Sequence, residues 1–493
     1  MTESLLHSLG WLLQLEANHP QAHLLVRGVA SDSRQVQSGD VFFARAGATQ
    51  GADAFIRDAI SRGAVAIVTS AAEDFGNLPV PTIHVSNFAQ ALGSAAARSF
   101  ADPSSKLTAI GVTGTNGKTT VTHLIAGAMD QRAACGLIGT LGVGRLGALT
   151  DSAHTTPDVV ELQRAFAGFV DAGLSHAVME VSSHGIAQGR IEGIHFDTAV
   201  FTNLSRDHLD YHGSMEAYGA SKARLFAVAE LRAAAINADD HFASRIPLAP
   251  SIKALRFGLD CSIDDQTIGA ELVGSDSAGL HLRIDGPFGP AELRSELLGR
   301  FNASNLMAAL AALLLNDFSL NDAVAALSRV PPVVGRMQWI GGGAVPMAVV
   351  DYAHTPDALS KALQALRFNL AGQLICVFGC GGDRDQGKRA QMARVAERWS
   401  DQVIVTDDNP RKEASEVIVN DIMQGFSTPQ KVTVEADRAR AITTALHGAQ
   451  PDDVVLIAGK GHEQYQERNG VRMPFNDFGI ARLALREYER SHD

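Results

Sequence analysis

Short apolar runs separated by helical periodicities organise this chain. Asp40 to Ala44, Ala64 to Ser70 and Val80 to Ser86 read as strands. Phe88 to Phe100 reads as a helix ending before Asp102-Pro103, where proline and its predecessor leave the helical region. A first domain is expected to close there. From Leu107 the order is strand, glycine-rich turn and helix, with further apolar strands at Ala177 to Val181 and Thr198 to Phe201. That alternation predicts a mainly parallel sheet with helices on both faces.

The period changes to two between Thr267 and Leu298, as in Gly279-Leu-His-Leu-Arg-Ile-Asp285, which predicts an antiparallel β flank. A helix over Ala303 to Leu315 follows. Pro331-Pro332-Val333-Val334-Gly335 then breaks the chain, because paired prolines cannot continue a helix. Beyond it, strands at Met347 to Asp351, Leu374 to Phe378, Val403 to Thr406, Val432 to Glu435 and Val454 to Ala458 alternate with helical segments, the pattern of an open doubly wound sheet. The expected fold class is α/β in three domains, over 1–103, 104–332 and 333–493. The first is a smaller α/β domain, the second a P-loop ATPase-type mainly parallel sheet with its β flank, and the third Rossmann-like.

Composition narrows the function classes. Asp and Glu outnumber Lys and Arg by 54 to 42, and the net charge of -12 repels a polyanion at long range, so nucleic acid is not an expected partner. The four cysteines, Cys135, Cys261, Cys376 and Cys380, show no framework spacing and fit a reducing cytoplasm. Cys376 and Cys380 lack a second Cys/His pair nearby, so apolar packing is expected of them rather than a metal site. Met1 to Leu15 carries Glu3 and lacks a basic leader, and the apolar run Leu306 to Leu315 is too short to cross a bilayer. No signal peptide and no stable membrane insertion are expected.

The strongest local signal is Gly111-Val-Thr-Gly-Thr-Asn-Gly-Lys-Thr-Thr120, which lies between an apolar strand and a helix. Successive backbone N–H groups and a helix N-terminus at such a turn surround phosphate. Lys118 would reach the β- and γ-phosphates of ATP, and Thr119 offers Mg²⁺ a hydroxyl. The spacing departs from the standard loop, since Val112 stands where its first glycine belongs. Glu180 closes the strand at the carboxyl edge where open α/β sheets bind ligands, placed to hold a cation. Asp207, His208, Asp210 and His212 crowd one short stretch, which reads either as a solvated turn with caps or as metal ligands. Lys222 reads by default as an exposed helix lysine.

These motifs, with Glu180-Val-Ser-Ser-His-Gly185, Thr202-Asn-Leu-Ser-Arg-Asp-His-Leu-Asp210, Gly299-Arg-Phe-Asn-Ala-Ser-Asn305, Gly335-Arg-Met337 and Asp351-Tyr-Ala-His-Thr-Pro356, resemble the Mur ligase family in order and over almost the whole chain. Phe378-Gly-Cys-Gly-Gly-Asp-Arg-Asp385, Asp407-Asp-Asn-Pro-Arg411 and Gly459-Lys-Gly-His-Glu463 resemble its meso-diaminopimelate-adding branch rather than its lysine-adding branch. The resemblance implies a UDP-substrate-binding N-terminal domain, a central ATP-binding domain and a C-terminal domain for the incoming amino acid. It implies Lys222 as a lysine carbamylated by CO₂, which would hold Mg²⁺ with Thr119, Glu180 and His208. It places ATP on Gly114, Thr115, Asn116, Gly117, Lys118, Thr119 and Thr120, with Asn302, Arg336 and Asp351 at the adenosine. Ser31, Ser33, Thr155, Thr156, Ser182, Gln188 and Arg190 are implied for UDP-N-acetylmuramoyl-L-alanyl-D-glutamate. Arg384, Asp408, Asn409, Pro410, Arg411, Gly459 and Glu463 are implied for meso-diaminopimelate. His154 departs from the family pattern, standing where this branch carries asparagine before Thr155-Thr156.

The chemistry makes sense of these residue types. A carboxylate does not condense with an amine near neutral pH until its oxygen becomes a leaving group. The implied route is attack of the substrate carboxylate on the γ-phosphate to give an acyl phosphate, then attack by the neutral amine. Lys118 and Mg²⁺ would neutralise charge where two anions meet. Arg384 and Arg411 suit carboxylates, through the planar fork of arginine, and Asp408 and Glu463 suit an ammonium. The product would serve peptidoglycan precursor synthesis, and through it cell shape and division, with the enzyme expected to be a monomer. A lysine-adding Mur ligase, a folylpolyglutamate synthetase-like ligase and a nucleotide-binding regulatory module are the rival readings.

Overall fold

The computed structural model describes residues 6–45, 52–70, 75, 77–276, 279–368 and 370–492. The chain forms two compact units, Met1–Ile268 with Ala308–Ala326, and Gly269–Met307 with Leu327–Asp493.

The first unit contains a parallel sheet of Val29–Ala30, Val41–Phe43, Ala66–Ser70 and Thr82–Val85, paired in that order. Alternation divides its side chains. Val41, Phe43 and Val68 pack with Leu92, Ala95 and Ala96 of the helix Phe88–Ser99, while Phe42 and Ile67 pack with Ile56 of the helix Ala52–Ser61. The larger sheet of this unit runs Ala148–Thr150, Gly142–Arg145, Cys135–Gly139, His176–Glu180, Thr108–Thr113, Thr198–Phe201, Ala233–Asn237 and Lys253–Gly258. Its last six strands are parallel, and the first two form an antiparallel extension. Thr108–Thr113 lies between strands that follow it by quite different connections. This is the kind of topological switch point where loops at the strand carboxyl ends part and leave room for a ligand.

The second unit holds an antiparallel meander of Thr267–Asp276, Gly279–Asp285 and Ala291–Ser295. It also holds a six-stranded sheet ordered Gln338–Gly342, Val345–Asp351, Val454–Ala458, Leu374–Phe378, Gln402–Val405 and Thr433–Val434, parallel except at its first pair. Helices Pro356–Arg367, Gly387–Trp399 and Ser415–Met423 contribute Leu363, Met392 and Ile422 to the core on one face. Arg438–Gly448 and Asp477–His492 contribute Ile442 and Leu485 to the core on the other. Both faces are covered, as a doubly wound sheet requires.

The α/β class, the β flank and the doubly wound sheet agree with the expectation, but some bounds do not. The helix expected from Ala303 begins at Arg300. The strand expected over Val432 to Glu435 shrinks to the exposed pair Thr433–Val434, because a 3₁₀ turn over Pro429–Lys431 leads into it at the sheet edge. Among the described residues no helix is long and apolar enough to cross a membrane. Cys376 and Cys380 are buried as free thiols, Cys380 against the sulfur of Met392 at 3.7 Å, and burial pushes both up to about 12.

Candidate functional site

The phosphate-loop sequence occupies the carboxyl end of the central strand Thr108–Thr113. Gly114 must be glycine because a Cβ there would lie 1.9 Å from Thr202 Oγ1. The helix Lys118–Met129 begins at Gly117, whose φ of 87° suits glycine and which provides no side-chain cap. A helix of this length without a capping side chain presents its first-turn donors to an incoming anion. The turn itself is braced. Asn203 accepts from Thr115 N through its carbonyl and from Asn116 N through its side chain, and Thr202 Oγ1 donates to the Asn116 carbonyl at 2.6 Å.

Lys118 folds back so that its Nζ donates to the carbonyls of Gly114 at 2.8 Å and Thr115 at 3.0 Å. Lys222, from the helix Met215–Ala223, donates to the same Gly114 carbonyl at 2.8 Å. Its exposed-lysine reading is overturned: only 1% of Lys222 is exposed, and its ammonium lies 4.4 Å from the centre of the Tyr218 ring. Burial and the neighbouring Lys118 hold Lys222 well below the usual lysine range. Two side chains that are cationic in water thus share one carbonyl, an arrangement that an anion between them would relieve.

Glu180, 1% exposed, accepts from Thr119 Oγ1 at 3.0 Å and from Thr140 through its N–H at 2.8 Å and its hydroxyl at 3.3 Å. Its carboxylate is therefore fixed beside the first turn of the loop helix. Gly139 makes room for it, since a Cβ there would approach Glu180 Oε1 to 2.4 Å. His208 sits in left-handed backbone at φ 52°, its ring against His184 and Tyr218. Burial first, then Lys118 and Lys222, keeps His208 below the ordinary histidine range despite Asp207, so it offers a neutral imidazole. His212 Nε2 is 3.1 Å from Ser183 Oγ, and Tyr218 OH bonds Thr115 Oγ1 at 3.1 Å. Among the described residues no three His, Cys, Asp or Glu side chains gather to hold a metal, so the Asp207 to His212 stretch forms no ligand cluster by itself.

The residues expected at the UDP-linked substrate fall into three groups. Thr156, Ser182, Gln188 and Arg190 form one network: Thr156 Oγ1 bonds Ser182 Oγ at 3.0 Å, and Arg190 donates to the Thr156 carbonyl at 2.6 Å and to Gln188 Oε1 at 2.6 and 3.0 Å. Thr155 Oγ1 meets Thr140 Oγ1 at 3.0 Å, and so belongs with the Glu180 surroundings. Ser31 donates to Asp158, the N-cap of the helix Val159–Asp171, and Ser33 to Asp58. Arg45 donates to the Gln188 carbonyl at 2.9 Å, and with Phe88, Ala89 and Ser70 it lines a cavity beside that network. His154 is exposed, its carbonyl taken by Ser152.

In the second unit, Asn302 is buried, donating to the Leu298 carbonyl and accepting from Asn305. Asp351 accepts from Met337 N, and the Arg336 guanidinium stacks 4.7 Å from the Tyr352 ring. Asp351 keeps some surface, but the packed protein around its carboxyl raises it to about 6, with Arg336 opposing.

The amino-acid candidates cluster at the carboxyl ends of this unit's strands. Arg411 has φ 54°, takes the Glu467 carbonyl with its N–H, and lays its guanidinium on the Gly382 carbonyl at 2.8 Å. Gly382 allows the approach of Pro410, whose carbonyl would be 1.9 Å from a Cβ. Asp408 is buried and pushed up by burial, with Arg438 and Lys460 as opposing cations, and Gly459 lies against its carboxylate. Arg384 is exposed. Glu463, expected to meet a ligand ammonium, already accepts from Lys460 Nζ at 2.9 Å and Asn409 at 2.7 Å through one oxygen.

With both clusters described, comparison with known proteins is decisive. The chain is 49% identical over 488 residues to the UDP-N-acetylmuramoyl-L-alanyl-D-glutamate–2,6-diaminopimelate ligase of Pseudomonas aeruginosa, covering 97% of this chain and 99% of that one. The chain belongs to the Mur ligase family. Three family models mark this Mur ligase along its length: the Mur ligase family catalytic domain at 25–100, the Mur ligase middle domain at 112–313 and the Mur ligase glutamate ligase domain at 335–461. Identity to the ligase of the same name from Chromobacterium violaceum is 45% over 473 residues, 94% of this chain and 95% of that one. A solved structure of a ligase so named matches with a TM-score of 0.74 at 38% identity, over 99% of this Mur ligase and all of that chain. Mycobacterium tuberculosis folylpolyglutamate synthase complexed with ADP and AMPPCP matches with a TM-score of 0.62 at 22% identity, over 74% of this chain and 91% of that one, a likeness of fold alone.

Sequence reasoning missed Thr140, Tyr218, Asn203 and Lys460, each now bonded to a site residue. Asn203 and Lys460 lay inside quoted motifs. Thr140 and Tyr218 carried no pattern of their own.

Proposed function

We propose that this Mur ligase joins meso-diaminopimelate to UDP-N-acetylmuramoyl-L-alanyl-D-glutamate with cleavage of ATP, as a cytoplasmic monomer supplying peptidoglycan precursors. The observation that carries the reading is the 45 to 49% identity, over nearly its whole length, to enzymes of that name. The segments 1–103, 104–332 and 333–493 would serve the UDP substrate, ATP and the incoming amino acid in turn.

ATP would lie with its phosphates on Gly114 to Thr120. Lys118 would turn from the loop carbonyls to the phosphates, replacing two neutral acceptors by anionic ones, and its loss should cost on the order of 3 kcal/mol of transition-state stabilisation. The residues fit Mg²⁺ as well: Glu180 fixes a carboxylate beside the Thr119 hydroxyl, and His208 offers a neutral nitrogen. When bound, Mg²⁺ supplies positive charge where carboxylate and γ-phosphate meet. The depressed basicity of Lys222 supports carbamylation, because only a neutral amine adds to CO₂. The carbamate would convert the second cation on the Gly114 carbonyl into an anion suited to the metal. Thr156, Ser182, Gln188 and Arg190 would orient the dipeptidyl end, and Arg411 a carboxylate of the amino acid.

The test is release of ADP from ATP with Mg²⁺, the UDP-linked dipeptide and one amino acid. Release should depend on the dipeptide and be faster with meso-diaminopimelate than with lysine. The second carboxylate, absent from lysine, would leave Arg411 unpaired. Faster release with lysine would overturn the substrate assignment, and no release under any condition would favour a regulatory nucleotide binder.

A further inference from the structure

Lys460 follows the strand Val454–Ala458, and none of its surface is exposed. A buried ammonium persists only where its donors are taken and its charge is matched. Lys460 Nζ donates to Asn409 Oδ1 at 3.0 Å and to Glu463 Oε2 at 2.9 Å, and Asn409 Nδ2 donates to that same Oε2 at 2.7 Å. The three side chains close a ring of hydrogen bonds. Asn409 Oδ1 also accepts from Glu467 N at 2.9 Å, which ties the ring to the segment that takes the N–H of Arg411.

The ring's position matters more than its stability. Lys460 and Asn409 follow the two strands that flank Leu374–Phe378, so their bond joins two loops across the end of a third strand. That third strand runs into the glycines that carry the Arg411 guanidinium. Among the described residues, both side-chain hydrogen bonds to the Glu463 carboxylate fall on Oε2, so Oε1 is the oxygen left for a ligand. Asp408, Asp477, Arg438, Arg336 and the phenols of Tyr352 and Tyr465 are the other ionisable groups near this site, the Tyr465 ring centre lying 5.6 Å from Lys460 Nζ.

We propose that Lys460 is a positioning residue for the incoming amino acid, locking Glu463 and Asn409 so that Glu463 Oε1 and Arg411 stand at a fixed separation to receive an ammonium and a carboxylate. The inference rests on the amino-acid role proposed above for this cluster. Lys460 itself touches no substrate. Its contribution is to orient a half-buried carboxylate that would otherwise be held by Asn409 alone and freer to change rotamer.

Steady-state kinetics on the full chain, with ATP, Mg²⁺ and the UDP-linked dipeptide saturating, test this. Lys460→Met should raise the KM for meso-diaminopimelate by about 10- to 100-fold, the size expected when a charge-assisted hydrogen bond behind a ligand contact is lost. The kcat should change by less than about threefold, and the KM values for ATP and the dipeptide should hold, because uniform binding alone is lost. If Lys460 acts through Glu463, adding Glu463→Gln to Lys460→Met should raise that KM little further, whereas independent sites would multiply. Lys460→Gln keeps one donor and should show the same split at a smaller rise, which serves if Lys460→Met does not fold. A folded variant with unchanged amino-acid KM, multiplying penalties, or unfolding of both variants would overturn the inference. A wild type inactive with meso-diaminopimelate would overturn the functional reading and the inference together, whereas an active wild type with unmoved variants sinks the inference alone.

Discussion

Lys222 is far from the usual solvated lysine, with only 1% of it exposed and another lysine on the same carbonyl. Lys222→Ala is expected to abolish ligation. A short-chain carboxylate should restore part of the rate by occupying the vacated space, and bicarbonate should not, since no amine remains to trap CO₂. ADP release checks this, and an unimpaired Lys222→Ala would remove the carbamate from the mechanism. Arg411→Ala should raise the amino-acid KM with a smaller effect on kcat, and an unchanged KM would remove its assignment. Asp351 makes a thermodynamic statement. Its folded pKa of about 6 lies above the ordinary 3.8, so the folded state binds its proton more tightly. The associated stability is present below about pH 4 and lost as pH rises through about 6. Asp351→Asn should therefore gain on the wild type in melting temperature between pH 4 and 7, and a constant difference would contradict it. At this scale the sequence was legible where a motif fixed the role, as at Lys118. It was not legible at Lys460, because a lysine between two glycines looks solvated until the sheet brings Asn409, from the loop after another strand, beside it.

Among the elements, the loops at strand ends carry the chemistry, and their glycines can be tested by what a methyl group would strike. At Gly381 a Cβ would lie 2.8 Å from Arg411 Nη1, the far end of a flexible side chain. Gly381→Ala should thus leave the melting temperature nearly unchanged and displace the guanidinium, raising the amino-acid KM. Gly382→Ala meets the Pro410 carbonyl at 1.9 Å, where backbone must move, so it should destabilise the fold as well. Thermal melts beside kinetics separate the two, and equal destabilisation would contradict the distinction. The same physics decided which elements could be read in advance. Leu374–Phe378 and Val454–Ala458 announced themselves as β-branched, aromatic or apolar runs. Ala233–Asn237 did not, since Ala-Ala-Ala-Ile-Asn has no strand preference and is buried on both faces, which erases alternation. The hairpin Tyr465–Arg468 with Val471–Pro474 also escaped, because its second strand is fully exposed and polar in part. Yet it carries Arg468, whose parallel bridge to Arg411 helps set that residue's left-handed backbone.

At the scale of the whole molecule, the two compact units hold different clusters of candidate residues. The first gathers the phosphate loop, Glu180, His208, Lys222 and the Thr156 network, and the second gathers Arg411, Asp408 and the Lys460 ring. On the roles proposed above, activation of the carboxylate and capture of the amino acid would draw on different cores, each with its own sheet. The order of motifs separated the phosphate-loop cluster from the Arg411 cluster along the sequence, whereas the hydrogen-bond partners of each side chain depended on strands distant in the chain. The central claim is that the substrate carboxylate attacks the γ-phosphate on the Gly114 to Thr120 loop. The most direct measurement is a single round of ligation with that carboxylate labelled with ¹⁸O, followed by mass analysis of the released phosphate. One ¹⁸O atom per phosphate is expected, because the carboxylate oxygen leaves with phosphorus when the amide forms. Phosphate free of label, with the amide product formed, would contradict the account.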